Sequence, residues 1–418
     1  MNLLSVTERR AVGGPVPLRL LTAWFAVALT AWAAGCIALV AAARDLALGN
    51  PFAPGPVLAV HLVALGALPF AVAGASFHLL PVMLRTALPS IRALWAARPL
   101  RLGGPLVAVG LERWSHLLVW VGVGAVVAAL AIVAIEIGTL VMRAPGDRTL
   151  IASRTGVALA LQHALLALVL GSLAFDHDGP FWGVSYARWL LVHLHLSLVG
   201  WIALLVVAVG RSLVPMLALA PAAGRRRWPV HELVLVGGLW VLLVGLATAS
   251  RPATIAGGLV VLAALVRFAV FLARVARTRR GPIDAPLGHL LAGAAFLVQG
   301  AVCGLVSASG HGGVRLVEAY IVFLLLGWAA GVVVGHVAKL LSLSIWVWWP
   351  PGPRPKQGAL YPRRLALAET VAFGVGVEVL ALGVLAGSTA AARVGAALVA
   401  VSALLAAATA AEVWRRRF

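Results

Sequence analysis

The chain has 418 residues, of which 62% are hydrophobic and only 11% are charged, and its mean hydropathy is +1.03. A soluble domain is nearer half apolar and a quarter charged, so this composition excludes an ordinary soluble enzyme or binding domain. The net charge of +20 does not indicate nucleic acid here, because Lys and Arg concentrate in short segments between apolar runs, as membrane topology requires. We therefore expect an all-α integral membrane protein, a single transmembrane domain, whose first partner is the lipid bilayer.

Apolar runs of bilayer length recur along the whole chain, and by themselves they define eleven spans. The polar N-terminal segment lacks the apolar core and cleavage site of a signal peptide, so the first run is interpreted as a retained span. The runs lie near residues 18–43, 56–84, 114–142, 155–175, 189–219, 231–250, 252–273, 285–308, 316–345, 365–387 and 390–412.

The distribution of positive charge favours one further span. With eleven spans, the four arginines between residues 85 and 101 would lie on the opposite side from residues 225–227. A turn near Gly122–Gly124 would divide residues 102–143 into two spans, and 24 of the 33 Lys and Arg would then lie on the inner side. The positive-inside rule thus predicts about twelve spans in the plasma membrane, the bacterial inner membrane, with both termini cytoplasmic. Glu112 and Arg113 would then lie within span 3, where either the two side chains pair or the span is irregular.

An internal repeat supports the twelve-span arrangement. His61, Gly66 and Pro81 of span 2 match His195, Gly200 and Pro215 of span 6 at an offset of 134 residues, and a weaker third copy begins at Val322 in span 10. We therefore predict three pseudo-repeats of four helices, near residues 15–145, 150–275 and 283–412. Parallel repeats around an axis are a common membrane scaffold.

The polar residues of spans 2, 6 and 10 fall into two layers when depth is estimated from the helical rise. The outer layer contains His61, His193 and His195. Residues two apart on a helix point in different directions, so only one of the last two can face a given site. The inner layer contains His78, Arg211, His336 and Lys339.

Neutral imidazole tolerates an apolar interior and still ligates iron, copper or zinc. A haem between helices needs one or two axial histidines. We therefore consider His61 with His195, or His78 with His336, as facing ligands, with His61, His195 and His336 as the metal candidates. Arg211 and Lys339 would suit haem propionates. Glu136 and Glu378 are intramembrane carboxylates that could relay protons. The alternative interpretation of each histidine is a hydrogen-bonded helix contact.

Three segments carry a family resemblance: VHLHLSLVGW at 192–201, GRSLVPML at 210–217 and LLLGWAAGVVVGHVAKLLSLSIW at 324–346. They resemble span motifs of proteins distantly similar to subunit I of haem-copper oxidases, including NnrS-type membrane proteins. The resemblance implies a twelve-helix fold in three arcs, with haem b as the cofactor and copper as the less favoured one. His61 matches the oxidase haem ligand in helix and depth. Val199 stands where span 6 of the oxidases continues its copper motif, the paired histidines of span 10 are absent, and His336 lies too deep to replace them.

These residues favour a haem- or metal-binding membrane protein in electron transfer, in nitric oxide or metal stress, or in oxidase biogenesis, with a redox protein or oxidase subunits as partners. The missing ligands make catalysis of oxygen or nitric oxide reduction doubtful, so the sequence leaves open whether the protein is an enzyme. Two alternatives remain: a transporter or channel with a histidine-lined proton or metal pathway, and a non-catalytic subunit of a larger complex.

Overall fold

The computed structural model describes residues 16–87, 91–96, 101–145, 151–176, 183–221, 229–281 and 283–417. The fold is all-helical, with 86% helix and no strand in the part of the chain described. Eleven of its helices are long and apolar enough to cross a membrane. The apolar runs of the sequence therefore predicted these helices, because length and hydrophobicity are local properties.

We number the helices in chain order and leave two short connecting turns, Ile91–Ala96 and Gln357–Leu360, without numbers. The twelve numbered helices are α1 (Leu18–Ala47), α2 (Pro54–Leu84), α3 (Gly103–Glu112), α4 (His116–Arg143), α5 (Ile151–Asp176), α6 (Tyr186–Leu217), α7 (Val230–Thr248), α8 (Arg251–Thr278), α9 (Ala285–Ala308), α10 (Gly313–Val347), α11 (Arg363–Ala386) and α12 (Thr389–Arg415).

The first and last described segments lie at the same end of the bundle. The indole Nε1 of Trp348, just after α10, donates to the carbonyl of Val16 at 3.0 Å. Arg416 donates to the carbonyl of Ala359 at 2.8 Å, in the connection between α10 and α11. We call this the inner end, following the charge prediction, and the opposite end the outer end.

The predicted turn at Gly122–Gly124 is wrong, because α4 is continuous from His116 to Arg143. The chain turns instead at Trp114, which has a φ of 52°. A ten-residue helix, α3, precedes this turn and packs against α4. Glu112 and Arg113 lie at this turn, and their side chains form an ion pair at 3.5 Å, with 71% of the Arg113 side chain exposed. The pairing is confirmed, but the pair does not lie within a span.

One helical hairpin, with the same internal contacts, occurs three times in the fold: α3 with α4, α7 with α8, and α11 with α12. In each, three glycines allow close contact of the two backbones, so that an added Cβ would overlap the facing helix. In each, the residue before the second helix is a serine in extended conformation. The shared pattern is G-x6-G-x4-S-x6-G, starting at Gly103, Gly238 and Gly376. This pattern can be read from the sequence, but the repeat predicted from spans 2, 6 and 10 does not include it.

The core of the bundle is formed around α2, α6 and α10, which are the most buried of the eleven long helices. Each contains a stretch of π-helix: Leu62–Ala67, Leu196–Ala203 and Val322–Ala330. The π-helical stretch of α10 contacts those of α2 and α6. Such stretches inside α-helices are rare and are frequent at functional sites. The predicted sites therefore lie on the three most buried helices, and each of these helices is irregular where the π-helical stretches contact one another.

Candidate functional site

Four side chains form an outer cluster where the π-helical stretches begin: His61, His193, His195 and Tyr320. His61 and His195 each immediately precede the π-helix of their helix. Tyr320 precedes the π-helix of α10 by two residues and is 7% exposed. The spacing within the π-helices cannot be read from hydrophobic pattern alone, so the sequence did not single out Tyr320.

Two of these histidines have one ring nitrogen fixed by their own helix. Nδ1–H of His61 donates to the carbonyl of Val57 at 2.8 Å, and Nδ1–H of His195 donates to that of Leu191 at 2.7 Å. This hydrogen bond selects the tautomer whose Nε2 carries a free lone pair. A backbone carbonyl bonded to the second ring nitrogen is also the usual support of a metal-ligating histidine.

The two Nε2 atoms have different surroundings. Tyr320 donates its hydroxyl proton to Nε2 of His195 at 2.7 Å, which links α10 to α6. Nε2 of His61 makes no hydrogen bond within the described ranges, and His61 is close enough to His193 for the two rings to interact electrostatically. The structure thus brings His61 toward His193, while His195 is bonded to Tyr320.

His193 and His195 point toward different helices, as their spacing predicts. Nδ1–H of His193 donates to the carbonyl of Ala167 in α5 at 2.8 Å. A Cβ on Gly171 would lie 2.6 Å from this ring, so the glycine makes room for it. His193 therefore joins α6 to α5, and His195 joins α6 to α10.

The inner histidines are also separate from one another. Ser344 donates its one proton to the carbonyl of Leu340 at 2.7 Å, so Nδ1–H of His78 must donate to the Ser344 hydroxyl oxygen, 3.2 Å away. His336 lies at the turn between two helical parts of α10, with Nδ1–H donating to Val332 at 2.6 Å. The electrostatic neighbours of His336 are His289, Asp284 and Lys339 rather than His78.

His336 belongs to an inner cluster of six residues where α9, α10 and α11 meet. Nε2 of His289 lies 2.7 Å from Oε2 of Glu369, and both side chains are buried. Nζ of Lys339 lies 3.2 Å from Oδ2 of Asp284 and 5.2 Å from the centre of the Tyr361 ring. Burial, together with Asp284 and Glu369, raises the pKa of Tyr361. The six are Asp284, His289, His336, Lys339, Tyr361 and Glu369.

Three members of the inner cluster, Asp284, Tyr361 and Glu369, were not predicted from the sequence. Glu369 carries a detectable signal, because it is a carboxylate six residues into an apolar span. Asp284 looks like a helix cap, and it does cap α9 by accepting from the Leu287 amide at 3.3 Å. Its second oxygen binds Lys339, which only the tertiary structure could reveal.

The cations proposed for haem propionates already have carboxylate partners. Lys339 pairs with Asp284, and Nη1 of Arg211 lies 3.7 Å from Oε1 of the buried Glu232 at the start of α7. The two carboxylates considered for proton relay lie on different helices. Glu136 is buried in α4, and Glu378 is half-buried in α11.

The comparisons with known proteins give no family. No known protein family matches the chain, and no curated protein is significantly similar to it. The resemblance to haem-copper oxidase subunit I therefore rests on its short motifs alone. Within the described ranges, no group of three or more His, Cys, Asp or Glu is arranged to hold a metal ion.

Proposed function

We propose that the protein is a multi-pass plasma-membrane protein that binds haem b through the outer cluster and serves electron transfer. The observation that carries the proposal is the position of His61. This histidine immediately precedes a π-helix in a central helix, its Nδ1 is fixed by the backbone, and its Nε2 has no hydrogen bond within the described ranges. Those are the features expected of an axial ligand.

The residues of the outer cluster fit a haem in their chemistry. His61 would be the first axial ligand, and His193 is the nearest candidate for a second. His195 is less suited, because its Nε2 already accepts the Tyr320 proton at 2.7 Å. Bound haem would supply reversible one-electron chemistry. Tyr320 and the backbone carbonyls would keep the imidazoles oriented.

Three four-helix units form the scaffold in this proposal. The units consist of α1–α4, α5–α8 and α9–α12, and each ends in the G-x6-G-x4-S-x6-G hairpin. The second helix of each contains the π-helical stretch. Recurrence of both features in one order supports an origin by repetition.

The same arrangement supports twelve crossings with both termini cytoplasmic. A ten-residue helix rises about 15 Å, half of a 30 Å hydrocarbon core. The N-terminal end of α3 meets α2 at Leu65 and Gly66, in the middle of that helix, and its C-terminal end reaches the turn at Trp114. In this position α3 would be the outer half of a third crossing.

The transporter alternative is less well supported by the packing of the third unit. Between the outer and inner clusters, the ring centre of Phe296 lies 5.9 Å from that of Phe323 and 6.4 Å from that of Phe373. The ring centre of Trp32, from α1, lies 6.4 Å from that of Phe373. An aromatic layer of this kind interrupts a polar path between the two clusters.

The test is an absorbance spectrum of the purified full-length protein, reduced minus oxidised. We expect Soret and α bands with about one haem per chain, and we expect His61→Ala to abolish or shift them. His311→Ala is the matched control, because His311 is exposed and bonded to Ser309 at the outer end of α9. Absence of bands after expression with added haem would refute the proposal, and bands unchanged in His61→Ala would exclude His61 as the ligand.

A further inference from the structure

The inner cluster contains a buried acid–base pair that the proposed haem site does not use. His289 is 1% exposed and Glu369 is 6% exposed, and their Nε2 and Oε2 atoms lie 2.7 Å apart. Thr370 also lies near the same oxygen, with its hydroxyl 3.4 Å away. A structural ion pair in an apolar interior needs all of its polar atoms satisfied, because each unsatisfied one costs free energy.

One atom of the pair is not satisfied. Nδ1 of His289 is fully buried and has no hydrogen-bond partner within the described ranges. In five other histidines of the bundle (His61, His163, His193, His195 and His336), Nδ1 faces a backbone carbonyl. His289 is reversed: its Nε2–H donates to the carboxylate, which leaves a basic lone pair on Nδ1.

The packing around the ring maintains this orientation. The ring of His289 lies against the backbone of α10 at Gly335, where any side chain would overlap its Cγ. On the other side, the ring centre of Phe373 lies 4.9 Å away. The imidazole therefore cannot turn to pair Nδ1 with its own helix.

The inner aqueous phase is close to the pair. Asp284 and Lys339 have side chains 26% and 20% exposed, so their 3.2 Å ion pair reaches solvent. Glu369 of α11 pairs directly with His289, and His336 of α10 interacts with it electrostatically. Asp284 and Lys339 are in turn the charged neighbours of His336, and Asp284 and Glu369 are those of Tyr361. Toward the outer end, the pair is followed by the aromatic layer of Trp32, Phe296, Phe323 and Phe373, in which the ring of Phe373 contacts His289.

We propose that His289 and Glu369 form a proton-binding site that is loaded from the inner side past Asp284 and Lys339. The proton arrives from the inner aqueous phase and binds the lone pair of Nδ1. The ring becomes an imidazolium, and the Glu369 carboxylate stabilises its charge. Because the aromatic layer blocks onward movement, the site holds a proton and returns it to the same side. The inference does not depend on haem, since every group in it belongs to the chain.

The experiment is a pH titration of the full-length protein, labelled with ¹⁵N-histidine and reconstituted in lipid, by solid-state NMR. We expect one buried imidazole to be the Nε2–H tautomer at alkaline pH and to gain a second proton as the pH is lowered. Glu369→Gln keeps the size and an acceptor oxygen but removes the charge, so the same imidazole should stay neutral at a pH where the wild type is fully protonated.

Two controls separate the site from a general effect of substitution. Asp45→Asn, half-buried near the outer end of α1, should leave the titration unchanged. Asp284→Asn should keep its end point but slow the approach to it after a pH jump, by roughly tenfold or more. The proposal is overturned if no Nε2–H imidazole is seen in the wild type, if that imidazole never titrates, or if Asp45→Asn and Glu369→Gln act alike. An unchanged rate in Asp284→Asn would refute the route.

Discussion

In the arrangement of three four-helix units proposed above, the second and third units place equivalent backbone positions at the inner level of the bundle but fill them differently. Ala208 of α6 faces Gly156 of α5, whereas Gly335 of α10 faces His289 of α9. A carboxylate of the next helix borders both places. Cγ of Glu232 lies 3.2 Å from where a Cβ of Gly156 would be, and Glu369 bonds to His289.

This difference changes which group the carboxylate binds and how far the resulting pair is exposed. Without an imidazole beside it, Glu232 reaches Arg211, whose side chain is 25% exposed. With an imidazole in place, Glu369 forms a pair that is shielded from solvent. A single residue, glycine or histidine, thus decides whether the carboxylate is tied to a cation near solvent or to a titratable base in the interior.

At the middle level of the bundle the histidine belongs to the second unit and not to the third. Gly200 of α6 faces the ring of His163, and Gly327 of α10 faces the ring of Phe296. Nε2 of His163 is buried and has no hydrogen-bond partner within the described ranges. These two units therefore place a histidine at different depths, His163 in α5 and His289 in α9, about two helical turns apart at otherwise equivalent positions.

The largest expected effect is on the buried pair itself. Glu369→Ala should lower the free energy of unfolding by about 3 kcal/mol, because it leaves the His289 ring without its partner in an apolar site. Glu232→Ala should cost less, about 1 kcal/mol, because the partly exposed Arg211 can turn toward water. Equilibrium unfolding in mixed micelles, followed by tryptophan fluorescence, would measure both. Equal losses would remove the distinction between the two units.

A second substitution tests how the His289 ring packs against α10. Gly335→Ala should lower the free energy of unfolding by about 1–3 kcal/mol, because the new methyl group overlaps the imidazole and forces it to move. Gly374→Ala in α11 is the control, since an added Cβ there meets nothing within 4 Å. The same unfolding measurement applies. A neutral Gly335→Ala would mean that His289 is not held against α10.

The smallest effect concerns the hairpin that all three units share. Ser115 and Ser388 cap their helices through the side chain, accepting from the amides of Leu118 at 3.5 Å and Ala391 at 3.3 Å, whereas Ser250 makes no side-chain cap. Ser388→Ala should therefore cost about 1 kcal/mol. Ser250→Ala should cost clearly less in the same assay, and a larger loss there would contradict the assigned caps.

The sequence predicted the features that depend on local composition. Apolar length located the eleven long helices. The three helices that carry the repeat motifs are also the most buried ones in the structure, which the sequence analysis did not predict. The turn before α4 was misplaced, because glycines at 122 and 124 suggested a break. Gly122 instead serves close packing against α3, where a Cβ would lie 2.7 Å from the amide of Val107. A glycine at a turn and a glycine at a helix–helix contact look the same in the sequence, so only the packing of the neighbouring helix distinguishes the two roles.

The candidate sites were predicted less completely. Helix and approximate depth of His61, His195, His78 and His336 follow from counting along a span. Their partners do not, because Tyr320 lies 125 residues from His195 and Ser344 lies 266 residues from His78 along the chain.

The sequence by itself determined that this chain has the long apolar helices of a membrane protein and which of them carry histidine, since hydrophobicity is a property of short segments. Which helices are central was decided by the tertiary structure. The tertiary structure decided what each polar group binds. It paired Glu369 with His289 across 80 residues and Lys339 with Asp284. In an apolar interior a buried polar group is stabilised mainly by its partner, and partners are chosen by helix packing, which no single segment encodes.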